Sequence, residues 1–231
     1  MESLVSTVRL LKRYGDRTVV KGIDLQINRG EVLAIIGPNG AGKSTTLEMV
    51  IGVRKPDEGT VRYWCQEPNK HIGVQLQTTP FFPELNTQEN LRLFAAFYGV
   101  NITDQQLNDT LARCGLEGAR KTDASKLSGG QQKRLAIAMT LVHNPELIFL
   151  DEPTAALDPR ARHEIRELIS KLSATGTSIV FTSHDMEEVE KLATRVIMIA
   201  DGQVRASGTI EQLKQQHRVQ NLEQLYLTLT E

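Results

Sequence analysis

The 231-residue chain contains little of what marks several large classes of protein. It has only two cysteines, Cys65 and Cys114, which lie far apart in the sequence and have no C-x-x-C neighbour. This spacing argues against a disulfide framework, a redox pair or a cysteine metal site, so we expect both to be small, buried hydrophobic residues. The net charge is −1, which gives no electrostatic reason to expect a nucleic-acid partner.

The sequence also lacks long apolar runs. The longest, Leu135–Val142, includes Thr140 and falls far short of the roughly 20 residues that cross a bilayer. Residues 1–7 hold no apolar stretch of the kind found in a signal peptide. With 40% hydrophobic and 24% charged residues, the composition is that of an ordinary soluble domain with ample core. We therefore expect one soluble, cytoplasmic domain, with room for a subdomain.

The glycine-rich segment 37–46, GPNGAGKSTT, is the most informative motif that is present. It stands between an apolar run and an amphipathic run, as expected for a turn that joins a strand to a helix. Its G-x-x-x-x-G-K-S pattern predicts backbone N–H groups directed at phosphates, a mobile charge on Lys43 and a Mg²⁺-binding hydroxyl on Ser44. A plain glycine turn would need neither the lysine nor the fixed spacing. Alone, the loop predicts only a nucleoside triphosphate site, as found in kinases, GTPases and ATPases.

A second apolar run, Leu147–Leu150, ends in the carboxylates Asp151 and Glu152. Parallel α/β sheets bind ligands at the carboxyl ends of their strands. Successive side chains of a strand point to opposite faces, so we expect the two carboxylates to have different roles. Asp151 is predicted to lie in the Mg²⁺ shell, and Glu152 to act as the general base on the attacking water. An ordinary turn before Pro153 is the alternative.

The segment LSGGQ, residues 127–131, predicts another helix start. Ser128 and Gln131 have the spacing of a capping box, which needs no ligand to explain it. Gly129 and Gly130 each cost up to about 1 kcal/mol in a helix, and a cap requires neither. We interpret both glycines as room for an anion to approach the helix N-terminus closely.

The remaining pattern indicates an α/β fold. Two β-rich stretches before the phosphate loop predict antiparallel strands. A helical block follows, with capping boxes at Asn86 and Thr103, and apolar strands then alternate with helices. We predict a P-loop NTPase core with a mostly parallel sheet, an N-terminal antiparallel β subdomain, an α-helical insertion at about 86–140 and a helical tail at about 209–231.

GPNGAGKST, LSGGQ and LIFLDEPT, in this order, resemble the nucleotide-binding domain of the ABC ATPases, over essentially the whole chain. The resemblance implies ATP as substrate and Mg²⁺ as cofactor, with Ser44, Gln77 and Asp151 around the metal. It implies an aromatic platform for adenine at Tyr14, where an ordinary turn tyrosine is the alternative. The full set implied to bind ATP is Tyr14, Gly37, Pro38, Asn39, Gly40, Ala41, Gly42, Lys43, Ser44 and Thr45.

The resemblance implies further functional positions. Gln77 matches the glutamine that senses Mg²⁺ and the attacking water, with Gln75 as the alternative. His184 matches the switch histidine on the γ-phosphate, although a lone histidine is often structural. Asp158 matches the loop that crosses the dimer, but Ala155 stands where many family members carry serine. The signature that contacts the partner's ATP is matched by Ser128, Gly129, Gly130 and Gln131.

Partners are also implied by the resemblance. Two chains would pair head to tail, as a homodimer or with another ABC ATPase, and bury ATP between Lys43 of one and Ser128 of the other. A separate transmembrane permease subunit would hold the chain at the cytoplasmic face of the membrane. The permease would contact the loop at 78–85, with Phe81 and Phe82, unless these rings belong to the core. IGVQLQ and NLEQLYLTLT resemble subunits of ABC-2-type exporters of drugs, lipids or polysaccharides.

A soluble ABC ATPase that acts on ribosomes or DNA is the alternative function. Such proteins have paired domains in one chain, or carry coiled coils or zinc inserts. This chain has one phosphate loop, no heptad array and no cysteine cluster. A P-loop kinase would have no use for LSGGQ. We therefore expect a transporter subunit with no nucleic-acid partner.

Overall fold

The computed structural model describes residues 2–77 and 81–230. Thr78, Thr79 and Pro80, which belong to the loop expected to meet the permease, lie outside the described residues. The strands are β1 (Ser3–Tyr14), β2 (Arg17–Asn28), β3 (Val32–Ile36), β4 (Glu58–Tyr63), β5 (Ile72–Gln75), β6 (Leu147–Asp151), β7 (Ser178–Thr182), β8 (Arg195–Ala200) and β9 (Gln203–Gly208). The helices are α1 (Lys43–Val50), α2 (Thr87–Phe97), α3 (Asp104–Arg113), α4 (Gly129–Leu141), α5 (Pro159–Ala174), α6 (Met186–Leu192), α7 (Ile210–His217) and α8 (Leu222–Thr230).

The chain divides into two compact units. One comprises residues 1–68 and 178–231, and the other comprises residues 69–177. The first holds β1 to β4, β7 to β9, α1 and α6 to α8, and the second holds β5, β6 and α2 to α5. The predicted boundaries of a helical insertion at about 86–140 and of a tail at about 209–231 stay predictions.

The first unit contains the predicted antiparallel sheet, in the order β2-β1-β4. Leu10 of β1 lies opposite Ile23 of β2, and both side chains are fully buried. From Ile23 to Ile27, buried residues of β2 alternate with exposed ones, as expected for a sheet with one wet face.

The parallel strands of the first unit position the phosphate loop. β3 pairs in parallel with β7 and β8, and β9 pairs antiparallel with β8. Every residue of β3 and β7 is buried, as expected for parallel strands covered on both faces. Ile35 lies opposite Thr182, so the segments that follow β3 and β7 leave the sheet at the same edge.

In the second unit β5 and β6 are parallel, with Gln75 opposite Leu150. The helix starts predicted at Asn86, Thr103 and Ser128 all form capping boxes. The fold class is confirmed, with an antiparallel sheet, parallel strands and a helix-rich segment after the phosphate loop.

One of the two cysteines is less buried than we expected. Both are free thiols, and Cys114 is buried, where desolvation raises its pKa to about 12. Cys65 is only partly buried because it follows the end of β4, so the expectation of burial was wrong there. None of the helices within residues 2–77 and 81–230 combines the length and the apolar character that a bilayer span requires.

Candidate nucleotide-binding and catalytic site

The phosphate loop lies where the sequence predicts it. The buried strand β3 leads into Gly37, and α1 begins at Lys43. The intervening backbone turns tightly, with Ala41 N donating to Pro38 O at 3.1 Å. Gly202, in the β8–β9 turn, donates from its N to Ala41 O at 3.1 Å and ties the loop to the sheet. The loop therefore leads into the positive end of a helix dipole, which favours anions.

Two glycines of the loop have no room for a side chain. A Cβ on Gly37 would lie 1.9 Å from Ile199 O, and one on Gly42 would lie 2.8 Å from Val19 O. Gly42 also has a φ of 97°, in the left-handed region that favours glycine. The spacing of these glycines thus has a structural reason in addition to the predicted approach of phosphates.

Lys43 is folded against its own loop. It is 7% exposed, and Nζ donates to Gly37 O at 2.6 Å and to Pro38 O at 3.0 Å. A bound phosphate would compete with these carbonyls for the ammonium group. Ser44 is exposed, and within the described residues its hydroxyl makes no hydrogen bond. The hydroxyl is therefore available to a ligand.

Tyr14, the predicted adenine platform, ends β1 and is 43% exposed. The guanidinium carbon of Arg54 lies 5.3 Å from the centroid of its ring, within cation–π distance. Arg54 in turn donates from Nε to Glu48 Oε2 at 2.6 Å, which links the ring to α1. The exposed ring suits a platform for a base, and that role stays a prediction.

His184 follows β7 and is exposed. Ser183 N donates to Ile35 O of β3 at 3.4 Å, so the two parallel strands remain in register up to the turn that carries the histidine. The first unit therefore brings the phosphate loop and His184 to one edge of its parallel strands. The role of His184 at the γ-phosphate stays a prediction.

The two carboxylates after β6 are arranged differently from expectation. Asp151 ends the strand and is 6% exposed. Glu152 has a φ of 47°, so the strand alternation on which we based their separate directions does not extend to it. The surroundings differ nonetheless, because Asp151 is buried and Glu152 is half-buried at a sharp turn. Non-glycine residues in this left-handed region are uncommon and cluster at functional sites.

A lysine of α4 reaches this turn. Lys133 Nζ donates to Glu152 O at 3.4 Å. Burial lowers the pKa of Lys133, and the negative charges of Asp151 and Glu152 act in the opposite direction. The helix that begins with the signature thus places a cation near Asp151 and Glu152.

The two candidate glutamines differ in exposure. Gln75 ends β5 and is 1% exposed, whereas Gln77 lies beyond the strand and is exposed. Because β5 and β6 are parallel neighbours, Gln77, just beyond β5, and Asp151, the last residue of β6, lie at the same edge. The exposed amide of Gln77 suits contact with water and metal, and this assignment stays a prediction.

The signature segment forms the predicted helix start. Ser128 N donates to Gln131 Oε1 at 2.9 Å, and Gln131 N donates to Ser128 Oγ at 3.3 Å. Gly129 is exposed, and a Cβ there would be 3.8 Å from Leu157 Cδ2. A Cβ on Gly130, in contrast, would lie 2.8 Å from Cβ of Ala161 in α5. Packing alone therefore accounts for Gly130, and our interpretation of both glycines as room for an anion is needed only at Gly129.

Asp158 caps α5, as predicted. Its Oδ1 accepts from Arg160 N at 2.9 Å and from Ala161 N at 3.0 Å. The bond from Ala161 N is the main reason that the pKa of Asp158 is lowered. The carboxylate is exposed, and its role in crossing a dimer stays a prediction.

The donor groups fit a magnesium ion that is held partly by substrate. Within the described ranges, no group of three or more His, Cys, Asp or Glu side chains could hold a metal by itself. Mg²⁺ usually takes one or two carboxylates together with phosphates and waters. Each of the three predicted ligands carries an oxygen donor of the kind that Mg²⁺ takes: a hydroxyl on Ser44, a carboxylate on Asp151 and an amide on Gln77. That they share one ion stays a prediction.

Three side chains of the site were not found from the sequence: Lys133, Arg54 and Glu188. Lys133 lies two residues after the signature, but a lysine on a helix surface is commonplace. Glu188 is 1% exposed and accepts a hydrogen bond from Ser183 Oγ. An acidic residue in the first turn of a helix is what the helix dipole favours, so the pattern alone does not mark Glu188 as buried.

Comparison with known proteins shows the family of the chain. The ABC transporter family model matches residues 20–155. The Nod factor export ATP-binding protein I of Paraburkholderia xenovorans (strain LB400) is 37% identical over 217 residues, which cover 90% of this chain and 71% of that protein. The linearmycin resistance ATP-binding protein LnrL of Bacillus subtilis (strain 168) is 35% identical over 215 residues, which cover 89% of this chain and 69% of that protein.

A solved structure supports the same conclusion. It is the dimeric post-hydrolysis state of an ATP-binding cassette bound to ADP and Pi, which is 30% identical. The match covers 89% of this chain and 98% of that chain, with a TM-score of 0.78. The predicted family, fold class and ATPase activity are confirmed. The chain belongs to the ABC transporter family, as an ATP-binding and ATP-hydrolysing subunit similar to those of exporters.

Proposed function

We propose that ATP-driven pairing of two chains powers export through a separate transmembrane permease subunit. One observation carries the proposal: each chain has two helix starts that include exposed residues and suit a phosphate. One is the phosphate loop before α1, and the other is the start of α4 at Ser128 and Gly129. A head-to-tail pair would bring the two kinds of helix start together twice, with a twofold axis between them.

The chemistry is assigned to the side chains of the sequence motifs. Loop N–H groups and Lys43 hold the outer phosphates of ATP. Ser44, Asp151 and Gln77 hold Mg²⁺, which when bound neutralises charge on the β- and γ-phosphates. Glu152 takes the proton of the attacking water, a role worth about 10²–10⁴ in rate.

The remaining assignments concern the γ-phosphate. His184 donates a hydrogen bond to it from the same chain. The signature residues Ser128 to Gln131 cover it from the paired chain, and Asp158 lies in the loop that crosses between the two. Loss of the γ-phosphate on hydrolysis would remove this contact and open the pair. The dimeric relative bound to ADP and Pi supports the pairing, and the second chain is either identical or another ABC ATPase.

Mixing two inactive variants tests the head-to-tail arrangement. Lys43→Ala disables the phosphate loop and leaves the signature intact, whereas Ser128→Arg blocks the signature and leaves the loop intact. Neither variant alone can form a complete site. An equal mixture should recover about a quarter of the wild-type sites, because half of the pairs are mixed and each mixed pair has one complete site. No recovery, with both variants folded and pairing, would contradict the arrangement.

An exposed aromatic residue held by α2, Phe82, supports the proposal of a membrane partner. Asn90 accepts from Phe82 N at 2.8 Å and donates to Phe82 O at 3.0 Å. The ring of Phe82 is nonetheless 43% exposed, which favours an interaction surface over the core alternative. The relatives named for export and for drug resistance support export of a lipid, polysaccharide or drug.

Purification from membranes tests the partner. We expect the tagged chain to bring down a multispan membrane protein at the cytoplasmic face, and the Phe82→Ser variant to bring down less. Ribosomes or DNA in place of a membrane protein would support the alternative function instead.

A further inference from the structure

Glu188 is a buried carboxylate that none of the proposed steps uses. It is 1% exposed and lies in the first turn of α6, four residues after His184. Burial of a carboxylate is costly unless hydrogen bonds compensate it. Its presence in the core of this turn therefore calls for a physical reason.

Three hydrogen bonds join Ser183, Asp185 and Glu188 in a closed circuit around His184. Ser183 Oγ donates to Glu188 Oε2 at 2.6 Å, a length typical of an O–H···O⁻ bond to a charged carboxylate. The same Ser183 Oγ accepts from Asp185 N at 3.0 Å. Asp185 Oδ1 accepts from Glu188 N at 3.1 Å, which caps α6. The exposed residue His184 lies between the two fixed residues Ser183 and Asp185.

We propose that Glu188, acting through Ser183, is a positioning residue that fixes the backbone from which His184 projects. The circuit is attached to the strand that leads into the phosphate loop, because Ser183 N also donates to Ile35 O. The imidazole is thereby held at a fixed place relative to the loop of the same unit. This inference rests on the proposed function, since it takes His184 to meet the γ-phosphate.

Two variants of nearly equal size separate positioning from stability. Glu188→Met removes the acceptor of the Ser183 hydroxyl, yet apolar replacement of a buried charge is often neutral or stabilising. Glu188→Gln retains an oxygen acceptor. Because displacement of a reacting group by 1 Å can cost about 10²-fold, we expect kcat for ATP hydrolysis to fall about tenfold or more in Glu188→Met. We expect KM for ATP to change less than about twofold, and Glu188→Gln to keep most of the turnover.

Ser178→Ala is the matched control. Ser178 is buried at the other end of β7, and its hydroxyl accepts from Gly30 N at 2.8 Å. Its loss removes a buried hydroxyl from the same strand without touching the circuit. Turnover should therefore stay at the wild-type level in Ser178→Ala, even if the protein unfolds at a lower temperature.

Measurements in the His184→Ala variant distinguish failure of this inference from failure of the proposed function. Wild-type turnover in His184→Ala would remove the histidine from its proposed role, and the inference with it. If His184→Ala is slow, adding Glu188→Met should cause no further loss. A further tenfold loss in the double variant, or wild-type turnover in Glu188→Met alone, would overturn the positioning role and leave the proposed function intact.

Imidazole ¹⁵N signals give a readout that does not depend on turnover. The chain has five histidines, and the signal of His184 is the one that disappears in His184→Ala. We expect Glu188→Met to shift this signal and to leave the other four in place, which also reports that the chain is folded. An unchanged His184 signal would contradict the inference.

Discussion

The Cβ of Ala161 occupies the space that a side chain on Gly130 would need, 2.8 Å from the position of its Cβ. Gly130 is the second residue of α4, and Ala161 lies in the first turn of α5. A glycine of the signature segment is thus required by the packing of two helices within one chain. This requirement holds whether or not a nucleotide is bound.

Substitution of the two signature glycines should therefore have unequal effects on stability. Gly130→Ala should lower the free energy of unfolding by about 1–3 kcal/mol, the usual cost of overpacking. Gly129→Ala is the control, because a Cβ there meets nothing closer than Leu157 Cδ2 at 3.8 Å. It should be neutral or stabilising by up to about 1 kcal/mol, since alanine favours helix. Urea unfolding followed by circular dichroism measures both, and equal stabilities would refute the packing explanation.

An ion pair in the first unit predicts a second difference in stability. Arg195 donates from Nε to Glu31 Oε2 and from Nη2 to Glu31 Oε1, both at 2.9 Å, and Glu31 is 6% exposed. Glu31→Ala leaves the guanidinium group without this carboxylate and should cost about 3 kcal/mol. Glu58→Ala removes an exposed pair with Arg13, where about 0.2–1 kcal/mol is typical. Similar losses in the two variants would show that burial does not set the strength of the Glu31 pair.

A half-buried histidine in the second unit predicts how stability depends on pH. His143 donates from Nε2 to Ile72 O at 3.1 Å, and the ring of Tyr98 stacks on it with centroids 3.7 Å apart. Burial lowers the pKa of His143 below its usual value, more than the bond to Ile72 O raises it. As pH falls through about 6.5, the unfolded chain takes up this proton before the folded chain does. The free energy of unfolding should therefore decrease.

The contribution of His143 is measured as the difference in free energy of unfolding between the wild type and a variant without this histidine. His143→Gln removes the titrating group, so the stability advantage of the wild type should shrink between about pH 8 and about pH 5.5. Urea unfolding at both pH values gives the four free energies needed. An advantage that grows in acid would mean that the folded state raises the pKa of His143 instead.

Local signals in the sequence predicted the helix starts well. Asn86, Thr103 and Ser128 each have a glutamate or glutamine three residues later, and each forms a capping box. These bonds join residues that are close in the chain, so spacing is enough to predict them. The same spacing also forms a fourth capping box, at Thr209, which we did not predict.

Features that depend on distant residues were not predictable in this way. The contact between Gly130 and Ala161 requires knowledge of how α4 packs on α5. The left-handed backbone at Glu152 is hidden because the apolar strand pattern runs directly into it, and such strain is maintained by the surrounding structure. The burial of Glu188 is likewise not visible in a helix start rich in acidic residues.

Retention of a paired state by a hydrolysis-deficient chain tests the central claim most directly. Glu152→Gln keeps the shape of the side chain and removes its basicity, so ATP should bind and remain intact. ATPase turnover should be almost abolished in this variant, and near-normal turnover would remove Glu152 from its assigned role.

The decisive measurement is the mass of Glu152→Gln in solution by light scattering, with ATP and Mg²⁺ present. We predict twice the 25.7 kDa of one chain, and a return to the single-chain mass when ADP replaces ATP. The double variant with Lys43→Ala should stay at the single-chain mass under both conditions. A Glu152→Gln protein that binds ATP but stays a monomer even at high concentration would contradict ATP-driven pairing.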